Sequence, residues 1–210
     1  MLAASVNPNC GAWGLSPIAT EIELQSMRWI AELIGYPTTC GGILVSGGNM
    51  ANMVCLLAAL RAHIGADKRP KGFATAPGLR VYASAEVHTW LVKAADIYGI
   101  GTDAVRAVPV DASLAMDLEA LQRMIADDRK AGLRPAVVIG TAGSVSTGAI
   151  DPLPQIAEVC KREKVWFHVD GAYGAPAAVL ARLPRNELIE GLAPVALPTL
   201  RKSSSPRFVR

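Results

Sequence analysis

The sequence predicts an α/β fold, a mainly parallel β-sheet flanked by helices on both faces, and three observations carry that prediction. Short apolar runs rich in Val and Ile alternate with longer amphipathic stretches, and such alternation implies right-handed crossovers between parallel strands. The run Val165-Trp166-Phe167-His168-Val169 has the bulky and β-branched make-up of a strand covered on both faces. It leads straight into Asp170, and three other polar or glycine-rich stretches likewise follow the ends of apolar runs, the edge at which open α/β sheets bind ligands.

Composition narrows the class of function. The 210 residues are 51% hydrophobic and 19% charged, enough for a sizeable core and unlike a disordered chain. The formal charge is only +3 and the basic residues are scattered apart from the C-terminal end, which gives little support to a nucleic-acid or membrane partner. No apolar run approaches the ~20 residues of a membrane helix, and the N-terminus lacks a basic region followed by an apolar one. A cytoplasmic location is therefore expected. Cys10, Cys40, Cys55 and Cys160 lie far apart, as do His63, His88 and His168, so reduced thiols and no metal site are expected.

Each element has its own justification in the order of the chain. Ser16 and Pro17 are start signals for a helix whose Ile18, Ile22, Trp29, Ile30, Leu33 and Ile34 recur near helical spacing up to Gly35 and Pro37. Ile43-Leu44-Val45 reads as a short strand, ending in Ser46-Gly47-Gly48-Asn49 before a second helix from Met50 to Ile64. Residues 65–78 hold Pro, Lys and Gly without a period and read as a surface loop. Arg80 to Ala83 is a strand, and Ser84-Ala85-Glu86-Val87-His88 leads into a helix carrying Leu91, Val92, Ala95 and Ile97. Val105 to Val110 is another strand, and Asp117 caps a helix through Lys130 that Gly132 and Pro135 end. Ala136 to Thr141 is the most apolar strand, followed by small hydroxylated residues to Gly148, and Asp151-Pro152 opens a helix through Lys164. One domain is expected over residues 1–190, followed by an atypical basic tail over 191–210.

The polar stretches define a candidate site. A glycine turn at a helix N-terminus gathers unpaired N–H groups and the positive end of the helix dipole, which suits a phosphate. Gly47, Gly48 and Asn49 form that turn, His88 offers an imidazole, Ser144 belongs to the hydroxylated loop, and Asp170 is a carboxylate at the end of an apolar strand. A phosphate nest facing a carboxylate suits a ligand that is anionic at one end and carries a basic heterocyclic nitrogen at the other. Pyridoxal 5′-phosphate is such a ligand, because an aspartate ~4 Å from the pyridine nitrogen raises the ring's pKa by ~1 to 3 units. In the same reading His88 stacks on the ring and Ala172 lets its other face pack closely.

Five stretches also resemble a known family: Ser16-Pro17-Ile18-Ala19-Thr20-Glu21-Ile22-Glu23, Val45 to Asn52, Ser84 to His88, Thr141 to Asp151, and His168-Val169-Asp170-Gly171-Ala172-Tyr173. Together they are similar to the group II pyridoxal-phosphate decarboxylases, which act on aromatic amino acids, histidine, glutamate and tyrosine. The resemblance implies the large domain of fold-type I, aspartate-aminotransferase-like, and decarboxylation of an amino-acid substrate. It also implies phosphate contacts at Gly48 and Asn49, ring stacking by His88, pyridinium pairing by Asp170, support from Ala172 and a homodimer. Other fold-type I activities, such as aminotransfer, aldehyde formation or carbon-carbon lysis, share these cofactor residues. A non-catalytic remnant of such an enzyme is a further alternative.

The sequence departs from the family pattern in several places. Asn49 and Met50 stand where the family usually has Ser or Thr and then Glu, and Val145 where some members have Thr. Family members extend further at both ends, so the resemblance implies a chain truncated at both ends. The family's Schiff-base lysine lies in a Pro-His-Lys-Trp motif, and Lys202 falls at the corresponding spacing from Asp170, but Arg201 and Ser203 flank it. After Glu190 no acidic residue follows, while Arg201, Lys202, Arg207 and Arg210 accumulate among Ser and Pro, a change that suggests a coding-frame shift or a misassembled end.

Overall fold

The computed structural model describes Ser5 and residues 8–182. Within them, β1 (Leu79–Ser84), β2 (Val105–Val108), β3 (Arg134–Thr141) and β4 (Trp166–Asp170) form one sheet in the order β2-β1-β3-β4. Every pairing is parallel, with Thr141 opposite Asp170 at the end of the β3–β4 ladder. The helices are α1 (Pro17–Leu33), α2 (Gly48–Ile64), α3 (Trp90–Ile97), α4 (Leu118–Lys130) and α5 (Leu153–Glu163). Among the described residues no helix is long and apolar enough to cross a membrane.

The two-residue period of the strands sorts side chains between two cores. Val81, Ala83, Val137 and Ile139 pack with Leu56 and Leu60 of α2 and with Leu91 and Ala94 of α3. Their neighbours Tyr82 and Val138 pack on the other face with Leu121 and Ile125 of α4 and Leu153 and Ile156 of α5. The sheet is thus covered on both sides, as its nearly unbroken apolar strands require. Local signals end the elements. The Asp117 carboxylate accepts from Ala120 N at 3.0 Å at the start of α4, and Lys164 adopts a left-handed φ of 54° after α5.

One polar cluster is buried on the α4 face. The Tyr82 hydroxyl donates to Asp128 Oδ2 at 2.7 Å, and an Arg106 guanidinium nitrogen lies 3.0 Å from Asp128 Oδ1. Burial and the neighbouring carboxylate both push the Tyr82 phenol above its ordinary range, so it remains a donor. A carboxylate in such a place is tolerable because both oxygens are engaged.

Several expectations are corrected. Ile43-Leu44-Val45 forms no strand, and Ile43 and Leu44 are exposed. Leu44 N instead donates to Glu23 Oε1 at 2.7 Å, so a side chain takes the place of a ladder partner. The segment 66–75 is a run of 3-10 turns and not an open loop. In α3 the buried residues are Trp90, Leu91, Ala94 and Ala95, while Val92 and Ile97 are exposed, so the apolar face is rotated from the one the spacing indicated. In α1 only Ala31 is buried, and Ile18, Ile22 and Trp29 face outward. β4 is an edge strand of the described sheet, and its Trp166 and Val169 are half-buried. The predicted boundary at residue 190 and the basic tail lie outside the described residues.

Candidate functional site

A cleft of about 270 Å³ opens at the C-terminal ends of the strands. Gly48, Asn49 and Asn52 of α2 form one wall, and His88 and Trp90, which follow β1, form another. Thr141, Gly143 and Ser144 contribute from the end of β3, and Asp170 and Ala172 from the end of β4. Chain segments far apart in sequence meet here because parallel strands all deliver their C-terminal loops to one edge.

The start of α2 supplies the anion-binding feature. Gly47 has φ 87° and ψ 167°, a conformation that needs glycine, and no side chain caps the helix. Its first-turn N–H groups are therefore available to a ligand. A Cβ on Gly48 would lie 3.0 Å from Ala172 Cβ, so the walls touch where both residues are small. Gly47 itself shapes the turn and does not line the cleft.

Asp170 is buried, at 6% exposure, yet lines the cleft. Its Oδ2 accepts from Trp90 Nε1 at 2.8 Å and its Oδ1 from Ala172 N at 3.2 Å. Two residues earlier on the same strand face, His168 Nε2 lies 2.9 Å from Asn52 Oδ1, and its ring meets Trp90 edge-on at 6.0 Å and 82°. Burial pulls the His168 imidazole down to about 4, against the opposing pull of the Asp170 charge. His168 is thus neutral near pH 7 and donates to Asn52. His88 is half-buried at the rim, and its Nδ1 accepts from Trp90 N at 3.2 Å, which leaves the ring proton on Nε2.

The loop after β3 is held from behind. Asp151 accepts from Thr141 N at 2.7 Å and Met116 N at 2.8 Å. Burial raises its carboxyl above the ordinary range, and these two hydrogen bonds oppose the rise. Ser144 Oγ lies 2.6 Å from Thr147 Oγ1 and accepts from Thr147 N at 3.1 Å, so this hydroxyl serves its own loop. Thr141 Oγ1 differs: it is buried without a hydrogen-bond partner, and its residue lines the cleft. A buried hydroxyl left unpaired by the protein fits a site that a polar ligand completes.

An uncapped helix start, a buried carboxylate and an orphaned hydroxyl around one small cleft fit a phosphorylated heterocycle with a protonatable nitrogen. Among the described residues no group of three or more His, Cys, Asp or Glu could hold a metal. Of the residues singled out by sequence, Gly48, Asn49, His88, Ser144, Asp170 and Ala172 line the cleft, and Lys202 lies outside the described residues. Sequence reasoning left out Trp90 and Asn52 as site residues, and placed Thr141 at the site only as the start of the hydroxylated loop. Asn52 and Thr141 stand inside the quoted motifs, and Trp90 lies two positions after His88, just before Leu91 of the expected helix.

Comparison with known proteins agrees with this geometry. Residues 1–196 match the family model of the pyridoxal-dependent decarboxylase conserved domain. The chain is 34% identical over 176 residues to an aromatic-L-amino-acid decarboxylase of Bacillus atrophaeus, covering 84% of this chain and 35% of that protein. It is 37% identical over 175 residues to an L-2,4-diaminobutyrate decarboxylase of Rhizobium meliloti, covering 83% of this chain and 34% of that protein. The crystal structure of mouse CSAD superposes with a TM-score of 0.81 at 32% identity, over 91% of this chain and 39% of that one. The chain therefore spans about a third of the length of the curated relatives it matches. A parallel sheet with this cleft at its C-terminal edge, and a family match across most of its length, make the chain a member of the pyridoxal-dependent decarboxylase family.

Proposed function

We propose that this chain is the cofactor-binding part of an amino-acid decarboxylase, a carboxy-lyase that uses pyridoxal 5′-phosphate. The observation that carries the reading is the placement of Asp170 and the Gly48–Asn49 helix start on the walls of one cleft. Pyridoxal phosphate bound there supplies a ring that accepts the electrons left when a bond to the substrate α-carbon breaks.

The chain's own residues bind and orient in this reading. The first turn of α2, with Gly48 and Asn49, takes the phosphate, and Gly47 shapes the turn that leads into it. His88 packs on the ring face and presents its Nε2–H to the substrate carboxylate. Asp170 meets the ring nitrogen as an ionised partner, and a buried opposite charge at that distance favours the protonated ring. Ala172, being small, lets the other ring face pack closely, Ser144 holds its own loop at the site, and Lys202 is the proposed attachment point for the cofactor. The exposed apolar residues Ile18, Ile22 and Trp29 of α1 support assembly as a homodimer. The free thiols of Cys10, Cys40, Cys55 and Cys160 support a reducing, cytoplasmic compartment.

The test is product analysis with the chain, pyridoxal phosphate and a panel of amino acids. Carbon dioxide and amine in equal amounts, lost in Asp170→Ala, are expected. A keto acid or aldehyde as product overturns the decarboxylase reading, and failure to retain the cofactor on dialysis overturns the site. Borohydride treatment followed by peptide mass mapping assigns the attachment residue; label on a lysine other than Lys202 removes Lys202 from the proposal.

A further inference from the structure

Trp90 touches both residues that the proposed function sets against the ring, Asp170 through its side chain and His88 through its backbone. Its indole Nε1 donates to Asp170 Oδ2 at 2.8 Å, and its backbone N–H donates to His88 Nδ1 at 3.2 Å. The side chain is 1% exposed and belongs to the core beneath α2 and α3, so packing fixes the direction of its N–H. Among the described residues, Trp90 is the one side-chain donor to the Asp170 carboxylate.

We infer that Trp90 is a positioning residue of this site, its indole setting the plane of the Asp170 carboxylate toward a pyridinium-type ligand. A carboxylate offers about four acceptor positions. The Trp90 indole occupies one on Oδ2 and the Ala172 amide one on Oδ1, which stops rotation of the group and leaves lone pairs on both oxygens for a ligand. His168 holds the indole in turn, with its ring edge-on to Trp90 and its Nε2 against Asn52. Support of this kind keeps a charged group in its productive geometry while the ligand arrives.

The inference rests on the proposed function, and the test separates the two. Dissociation constants are measured for pyridoxal 5′-phosphate and for its 1-deaza analogue, in which carbon replaces the ring nitrogen. The wild-type chain, Trp90→Phe and Asp170→Ala are compared. Phe keeps the aromatic packing and the backbone N–H and removes only the indole donor. Expected for Trp90→Phe is about a tenfold loss of affinity for pyridoxal phosphate, the scale of one hydrogen bond to a charged group, with less than about a twofold change for the analogue. Equal losses for both ligands, or an unchanged preference for pyridoxal phosphate, overturn the role of Trp90 while leaving Asp170 in place. No preference in the wild type overturns the Asp170 reading, and the role of Trp90 with it. Should Trp90→Phe fail to fold, β-(3-benzothienyl)alanine at position 90 keeps the bicyclic shape with sulfur in place of N–H, and the same comparison decides.

Discussion

Asn52 Oδ1 and His168 Nε2 lie 2.9 Å apart, and both side chains are buried. This hydrogen bond ties α2, which begins at the glycine turn, to β4, which ends at Asp170. The separation between the anion-binding and carboxylate ends of the cleft is thereby set by a contact that joins a wall residue, Asn52, to the strand behind it. Asn52→Ala leaves the His168 ring nitrogen buried and unpaired, at a cost of about 1 to 3 kcal/mol. Urea denaturation measures it, and an unchanged midpoint would show that the contact holds nothing in place.

The same histidine predicts an acid-sensitive fold. Burial holds His168 down to about 4 from its ordinary 6.5, so between those values the unfolded chain binds a proton that the folded chain refuses. Stability is at its full value above pH 6.5 and is lost as pH falls toward 4, by about 3 kcal/mol if the whole effect is realised. Denaturation midpoints across this window should fall steeply in the wild type and less steeply in His168→Gln. Parallel slopes would assign the effect elsewhere; His63, which burial also lowers, would be the next group to substitute.

Asp128 predicts the largest single loss. It accepts from Tyr82 at 2.7 Å and pairs with Arg106 at 3.0 Å on the buried side of the sheet. Asp128→Ala strands a buried phenol and a partly buried guanidinium and should cost about 3 to 5 kcal/mol, whereas Tyr82→Phe removes one neutral donor and should cost about 1 to 3 kcal/mol. Thermal denaturation of the pair checks the order, and a smaller loss for Asp128→Ala would contradict the account.

Gly48 and Ala172 predict an effect on ligand affinity with little effect on folding. A Cβ at position 48 would stand 3.0 Å from Ala172 Cβ, so Gly48→Ala shifts the helix start by a few tenths of an ångström. Misplacement at a binding group on that scale is expected to weaken pyridoxal phosphate by about tenfold. The double variant Gly48→Ala, Ala172→Gly removes the clash and should recover most of the affinity; if it does not, the contact is not the cause.

Much of the fold is legible in the residues because its signals are local. Short, nearly continuous apolar runs mark β1 and β3, and Asp117 caps α4 in the structure as in the sequence. The phase of short apolar helices is less legible. In α3, the spacing of Leu91, Val92, Ala95 and Ile97 allowed two faces, and the sheet selected the one that buries Trp90. Ile43-Leu44-Val45 has strand composition, but a strand also needs a partner, and Leu44 found the Glu23 side chain instead.

The sequence by itself determined the alternating architecture, the glycine turn before α2, and the carboxylate at the end of β4. Side-chain periodicity and backbone preference act over a few residues, so these can be read along the chain. Only the tertiary structure decided that Trp90 donates to Asp170, a residue 80 positions away, and that Thr141 brings an unpaired hydroxyl to the same cleft. Such pairings depend on which helix crosses which strand and in what register, and no local pattern encodes that.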